Sequence, residues 1–600
     1  MNAQPSTPAH HSGHARPADP PGSVRRPRLR RVGGARRQHG AVAIVAVMFL
    51  VVALAALAAI DVGNVFFVRR QLQRTADLAA LAAVQVVSTP NGCATTVSTT
   101  ARANATANGF TAAGTTKTLQ AVCGRWTPGA AATAFNKSGT PANAVSVNVS
   151  QYVPYLFLVG KGQTVTASSV AVASNVAVFS LGTGIATLNT QQSVLLNAIL
   201  GGLLHSNVAL SVGDTQSLAA ANINLAGLMT ALNAGSMQGL LATSVSYQKL
   251  VVAMVKALQS GGDTIDAAIL QTLAVTVPGG QNINLGYNSS TSTGLLALGL
   301  ANPDSAATAT INVLDTVLAA AQIAQSNSSG TAPVINVAAG LTGVAGMSMQ
   351  MINPPVLAVG EAGLTPPVTA RTSAIKVTLT LAALPSVNLG LASVALLNTP
   401  LMVTLYVAPG TAQLSNVDCE NTKAATTVTF KVTPGLAGLC LGGVTNCTPG
   451  SVVPPVNVAS VTLLGANVLN VSLAGLGPAQ LSPGSTDVSI NGSSGSFNVV
   501  AQPVNSNALG SDLSSLTSIL LGQLSNPNAL TLQVLGSNLL GDLLSSVISL
   551  VSTTLSPLLQ SIFGLLNAVV GPVLTLLGVQ IGTATVHNMS LTCGVPQLVQ

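Results

Sequence analysis

Charge is scarce in this chain. Only 6% of its 600 residues are Asp, Glu, Lys or Arg, against about 25% in an ordinary soluble domain. Aromatic residues are fewer still, at 3% with a single tryptophan. Basic residues interleaved with aromatics are the footprint of a nucleic-acid surface. The body has no such stripe, so the pI near 9.4 does not indicate nucleic acid as a partner. The chain contains no GxSxG, Walker loop, HExxH or GxGxxG, which leaves the common hydrolase, nucleotide and zinc-protease chemistries without their signatures. There is no CxxC, and histidine after the apolar segment is limited to His205 and His587, which argues against zinc. No catalytic residue, metal ligand or cofactor is assigned.

The charge that exists is unevenly placed. Eight arginines (Arg16, Arg25, Arg26, Arg28, Arg30, Arg31, Arg36 and Arg37) stand in the first forty residues against one acid, Asp19. Directly after them runs GAVAIVAVMFLVVALAALAAI, Gly40 to Ile60, without a charge. About twenty apolar residues at 1.5 Å rise cross a hydrocarbon core of about 30 Å. The positive-inside rule keeps the arginine tail in the cytoplasm and sends everything after Asp61 to the other side, with membrane lipid as the first partner. Two other readings of this segment stand beside the anchor. Ala56-Leu57-Ala58 is an A-x-A site for signal peptidase, which would release the body as a secreted or surface-exposed adhesin. A pilin-type cut after Gly40 would need Glu at the fifth mature position, where Val45 stands.

All six cysteines, Cys93, Cys123, Cys419, Cys440, Cys447 and Cys593, lie beyond the apolar segment, where an oxidising compartment permits disulfides. Cys93–Cys123 is the natural local bridge; the other four allow three connectivities.

Periodicity divides the chain further. Residues 1–39 form a Pro-, His- and Arg-rich tail expected to be disordered. Residues 40–88 form the apolar span and an external helix. In the latter, Val65, Val68, Leu72, Ala76, Ala79, Ala83 and Val86 recur at three- and four-residue spacing and make one apolar face. That stripe reads either as a seam against the protein's own body or as a seam for a partner helix. Asp61 reads either as the marker of the outer interface or as a polar contact to a partner helix. Asp61, Leu72, Ala76, Ala79 and Ala83 are therefore the candidate helix-interaction residues. Region 89–180 is a small α+β unit, with strands at Val145–Val149 and Gln163–Val172 flanking a YLFL turn of helix. Residues 181–330 carry helical periods. Residues 331–505 switch to period two (IKVTLTL, LMVTLYV, TTVTFKV). Residues 506–600 return to amphipathic helices and end in a strand. The fold class is α+β.

Three further residues invite a chemical reading. Asp263 and Asp266 share a helix face, but the GGDT start makes Asp263 the first residue of a helix and Asp266 a dipole-favoured residue of its first turn. Glu361, between two Pro-Pro pairs, reads as a loop residue. His587 has no carboxylate near it in sequence. The apolar run Ser561 to Gly578, interrupted by Asn567 and Pro572, reads as a covered helix rather than a second span.

The run from Gly40 through AIDVGNVFFVRRQLQRTADLAALAAV resembles the N-terminal segment of TadG-like proteins, in the TadE/TadG group of Tad (Flp) pilus-assembly components. The residues carrying the likeness are Asp61-Val62-Gly63, Leu72-Gln73 and the block Ala76 to Ala82. The strand–turn–strand at 145–175, FSLGTGIATLN and the terminal CGVPQLV are also similar. The resemblance implies a bitopic inner-membrane protein with a large periplasmic part, working with pilus-assembly proteins to build or anchor an adhesive pilus. Some members carry a DxSxS metal loop. The nearest string here, DLSSL at Asp512, lacks the final serine, so that site is not carried over.

Overall fold

The computed structural model describes residues 39–505, apart from short stretches such as 89–91, 128–133, 183–189 and 338–343. It then describes 530–534, 582–599 and isolated positions between. The basic tail, the DLSSL string and most of 561–578 lie outside the described residues. The chain divides into two compact units. One comprises residues 1–65 with Tyr155–Lys161, and the other comprises the remainder.

One helix, α1 (His39–Val84), begins the described chain. It runs 46 residues without a break, roughly 70 Å at 1.5 Å per residue. Neither Pro nor a Gly pair interrupts it, and its Leu, Ala and Val content favours helix throughout. It is the one described helix long and apolar enough to cross a membrane, and its most apolar window is bare of any covering from the rest of the chain.

The second unit is built around a long sheet, antiparallel except for one parallel pair at its end. The helix α2 (Val97–Ala107) precedes four strands: β1 (Lys117–Trp126), β2 (Phe135–Asn136), β3 (Ala144–Val153) and β4 (Gln163–Leu181). The sheet order is β2-β1-β3-β4, continued by Leu357–Gly360 and Leu296–Gly299. The other side of β4 is taken by the closing strand Val586–Leu598, from Ala171 to Leu181. This explains why β4 outruns its sequence expectation. Its first half alternates buried and exposed positions, while its second half, AVASNVAVF, is buried almost continuously, as a strand covered on both faces must be.

Helices with short strands between them make up the described part of residues 190–327, around a core that includes Leu196, Leu200, Leu203, Leu250, Met254 and Val317. Their starts are capped by short polar side chains, which satisfy the orphan amides of the first turn. Ser211 and Asp214 form a reciprocal capping box, Asn224 accepts from Gly227, and Ser246 accepts from Lys249. From Ile335 onward further sheets of six, four and five strands follow, with a two-stranded pairing of Val504–Asn505 and Thr583–Ala584. Ala374–Leu381 and Thr427–Thr433 alternate buried with more open positions, as half-covered strands do, whereas Met402–Val407 buries Val403, Thr404 and Leu405 in succession. Phe179 of β4 packs on Phe430 at a centroid distance of 4.7 Å, joining the long sheet to the four-stranded one.

Three disulfides brace this unit. Cys93–Cys123 ties the turn before α2 to β1, Cys440–Cys447 closes a seven-residue loop, and Cys419–Cys593 ties the end of strand Thr411–Asp418 to the closing strand across 174 residues. In the chain-entropy account the loss on removing each bridge grows with its loop: about 2, 3–4 and 5 kcal/mol for Cys440–Cys447, Cys93–Cys123 and Cys419–Cys593. Paired Cys→Ala variants are therefore expected to lose thermal stability in that order. Calorimetry of the three variants, with non-reducing mass spectrometry of the native chain, tests both ranking and connectivity.

Candidate membrane and partner interface

The helix α1 meets two different environments. From Val42 to Ala56 every side chain is exposed. From Val68 onward the stripe is covered: Leu72, Ala76, Ala79, Ala80, Ala83 and Val84 are all buried. The small side chains let the helix backbone approach the body closely. Gln73 Nε2 donates to the Ser168 carbonyl of β4 at 3.1 Å and to Asp77 at 2.8 Å. The stripe is thus filled by the chain itself, and Asp77 takes its hydrogen bond from Gln73.

Asp61 lies at the end of the bare stretch and is 1% exposed. Its carboxylate collects three successive backbone amides. Leu156 N–H donates to Oδ1 at 2.8 Å, while Phe157 and Leu158 N–H donate to Oδ2, each at 2.7 Å. Successive amides in a turn form an anion-binding concavity, and charge-assisted bonds of this length are among the stronger ones in proteins. The loop that supplies them, 155–161, connects β3 to β4. Pro154 has no N–H to continue the β3 ladder. The loop returns through Gly160 and Gly162, both at positive φ, a conformation glycine adopts without penalty. At Gly162 a Cβ would fall 2.3 Å from the Val153 carbonyl. YLFL is an irregular bend rather than a turn of helix, because the amides a helix would use are held by Asp61.

Two part-buried polar pairs stand out among the described residues. Arg125 of β1 reaches Glu361 at 3.3 Å in a cleft of about 590 Å³ lined also by Val87, Ser88, Asn143 and Asp418. Glu361 follows strand Leu357–Gly360 directly, and its N–H donates to Gly299; it braces two parts of the sheet. His587 sits opposite Ser180 in the β4 register. Its Nδ1 lies 2.8 Å from Asp315 Oδ2, and its Nε2 lies 2.7 Å from Asn498 Oδ1. Ser180 donates to Asp315 at 2.9 Å. Serine, histidine and aspartate therefore meet, but the hydroxyl faces the carboxylate and the imidazole is 6% exposed. A nucleophile must instead face the histidine that takes its proton, so this cluster is arranged as a buried polar tie. Nothing local in sequence marks either pair, since the partners are 236 and 272 residues apart. Among the described residues, no three His, Cys, Asp or Glu side chains converge as a metal site would require.

Asp263 accepts from Asp266 N–H at 3.1 Å, capping the helix Thr264–Thr276. Burial raises the Asp266 carboxyl above its ordinary range; a Ser217 hydrogen bond opposes this, and the neighbouring Asp263 adds to it.

Residues 40–86 match the family model described as Putative Flp pilus-assembly TadE/G-like. Residues 70–173 match Putative Tad-like Flp pilus-assembly, and residues 192–322 match Domain of unknown function (DUF8293). No curated protein and no solved structure matches the chain.

The raised Asp266 carboxyl yields a stability test. The fold favours the protonated form, so stability is fullest at low pH and falls as the pH rises from the unfolded-state value through the folded one. Asp266 Oδ1 is also buried without a hydrogen-bond partner. Asp266→Asn is expected to raise Tm near pH 7 and to lose that advantage near pH 4, read by thermal denaturation at both values.

Proposed function

We propose, from the premise that the chain is a TadG-like protein of the Tad family, that it is a non-enzymatic, membrane-anchored component of Tad/Flp pilus assembly or anchoring that supports adhesion. The pilus-related role comes from the family matches. The anchoring reading is carried by one observation: a single unbroken helix whose first half is apolar and bare and whose second half is buried in the body. Such a helix carries a bare apolar segment and a body-packed segment within one element.

In this reading the arginine tail stays in the cytoplasm, residues 40–60 span the inner membrane, and the disulfide-braced body stands in the periplasm near the other pilus-assembly proteins. The candidate interaction residues then act within the chain. Leu72, Ala76, Ala79 and Ala83 weld the helix to the body, and Asp61 fastens the loop 155–161 to it. The low-charge surface, rich in hydroxyls and amides, suits contact with protein partners.

Fractionation and topology test the proposal. The protein is expected to remain with inner membrane after carbonate extraction, because removing a twenty-residue apolar helix from lipid costs about 0.8 kcal/mol for each CH₂ re-exposed. A reporter fused after residue 90 is expected to be active only if it requires the periplasm, and neutralising the seven arginines from Arg25 to Arg37 to give mixed orientation. Truncation after Gln85 should leave a tethered stub without pilus-dependent attachment. A mature chain beginning at Ala59 and recovered from the medium would replace the anchor with a released adhesin.

A further inference from the structure

The loop Tyr155–Lys161 presents its backbone to the helix and its side chains outward. Three of its amides are turned onto Asp61. Meanwhile Leu156 is 67% exposed, Phe157 is 51% exposed, and Val159 is wholly exposed. A run of large apolar side chains on a surface otherwise covered in Ser, Thr and Asn is unfavourable in water and marks a contact with something apolar.

The position of the loop along α1 identifies what that is. Leu57, Ala58, Asp61, Asn64 and Val65 are the covered residues of this stretch, whereas Ala59, Ile60, Val62 and Gly63 are exposed. The covered set recurs at i, i+1, i+4, i+7 and i+8, which is one face of a helix. That covered face extends from Val65 back to Leu57, one turn or about 6 Å on the apolar side of Asp61. There the neighbouring surface is the uncharged span itself. The ends of the loop suit a boundary. Tyr155, half-buried, packs near Gly160, and Lys161 is exposed. Tyrosine favours the headgroup level, and lysine keeps its apolar stem low while its ammonium reaches the polar layer.

We propose that the loop 155–161 is a lipid-inserting wedge. Leu156, Phe157 and Val159 enter the headgroup–acyl boundary of the outer leaflet beside the span, and Asp61 holds the loop backbone at that depth. Interfacial elements bury their apolar side chains about 5–10 Å into this layer, which is the depth the covered face of α1 reaches. The proposal rests on the anchoring reading. It adds a second attachment point, which restrains rotation of the helix about the membrane normal.

The test uses the full chain in vesicles of phosphatidylcholine and phosphatidylglycerol. Because Trp126 is the only tryptophan, Trp126→Phe with Phe157→Trp places one indole in the loop, at an exposed position that tolerates it. Trp126→Phe with Phe49→Trp places one in mid-span. Lipids brominated near the headgroup should remove most emission from the loop indole while aqueous iodide does not, and lipids brominated near the terminal methyl should quench the mid-span indole. Adding Asp61→Ala should transfer the loop indole from lipid quenching to iodide quenching. An iodide-accessible loop indole beside a lipid-quenched mid-span one overturns the wedge and leaves the anchor standing. A loop indole shielded from both quenchers also overturns the wedge and points to a protein contact. If neither indole meets bromine, the anchoring reading fails and the wedge with it. Lipid quenching unchanged by Asp61→Ala overturns the role given to Asp61.

Discussion

An α-helix is a rigid rod only while every backbone hydrogen bond in it is kept, and α1 keeps them for 46 residues. Two incompatible surroundings are therefore joined by one element. Its first half presents Val, Ile, Leu and Phe all round and is bare. Its second half replaces those with a stripe of alanines on the covered side and Arg69, Arg70 and Arg74 on the other, the pattern of a helix packed on protein. Asp61 stands where one regime gives way to the other. A carboxylate is costly in either apolar setting, and three amides from the loop satisfy it. Without that cradle a charge at this point would need water, and the helix would be bound to follow it.

The rest of the molecule depends on this helix being held at its base. The stripe at Leu72–Ala83 is buried within the unit that contains the long sheet, and Gln73 adds a directional bond to β4. The long sheet in turn contacts the helical core through Val176 and Val178 and the four-stranded sheet through Phe179. Both faces of one strand, β4, are thus occupied by different cores. That accounts for the nearly continuous burial of its second half.

Local rules in the sequence reach some of this and stop short of the rest. The span, the α+β class and the alternating strands follow from hydropathy and period, since each is written within a window of ten or twenty residues. Helix starts such as Ser211 and Asn224 are legible because a cap and its amide are three residues apart. The pairings Arg125–Glu361, His587–Asp315 and Cys419–Cys593 are not, because tertiary packing alone brings their members together. YLFL misleads for a related reason. Its composition suits a helical turn, but a carboxylate 95 residues earlier takes the amides such a turn would need. The extent of β4 beyond Val172 was hidden by its own burial: once both faces are covered, alternation disappears and with it the signal that marks a strand.

The place of the closing strand carries a consequence for biogenesis. Residues 586–598 lie against β4, which was made long before them, and Cys593 is joined to Cys419. A chain made from its N-terminal end delivers β4 early, with one edge from Ala171 to Leu181 still unpaired. That edge is a template for any passing strand. Until residues 586–598 arrive, the long sheet is open along that edge, and it is completed only when its last strand is made.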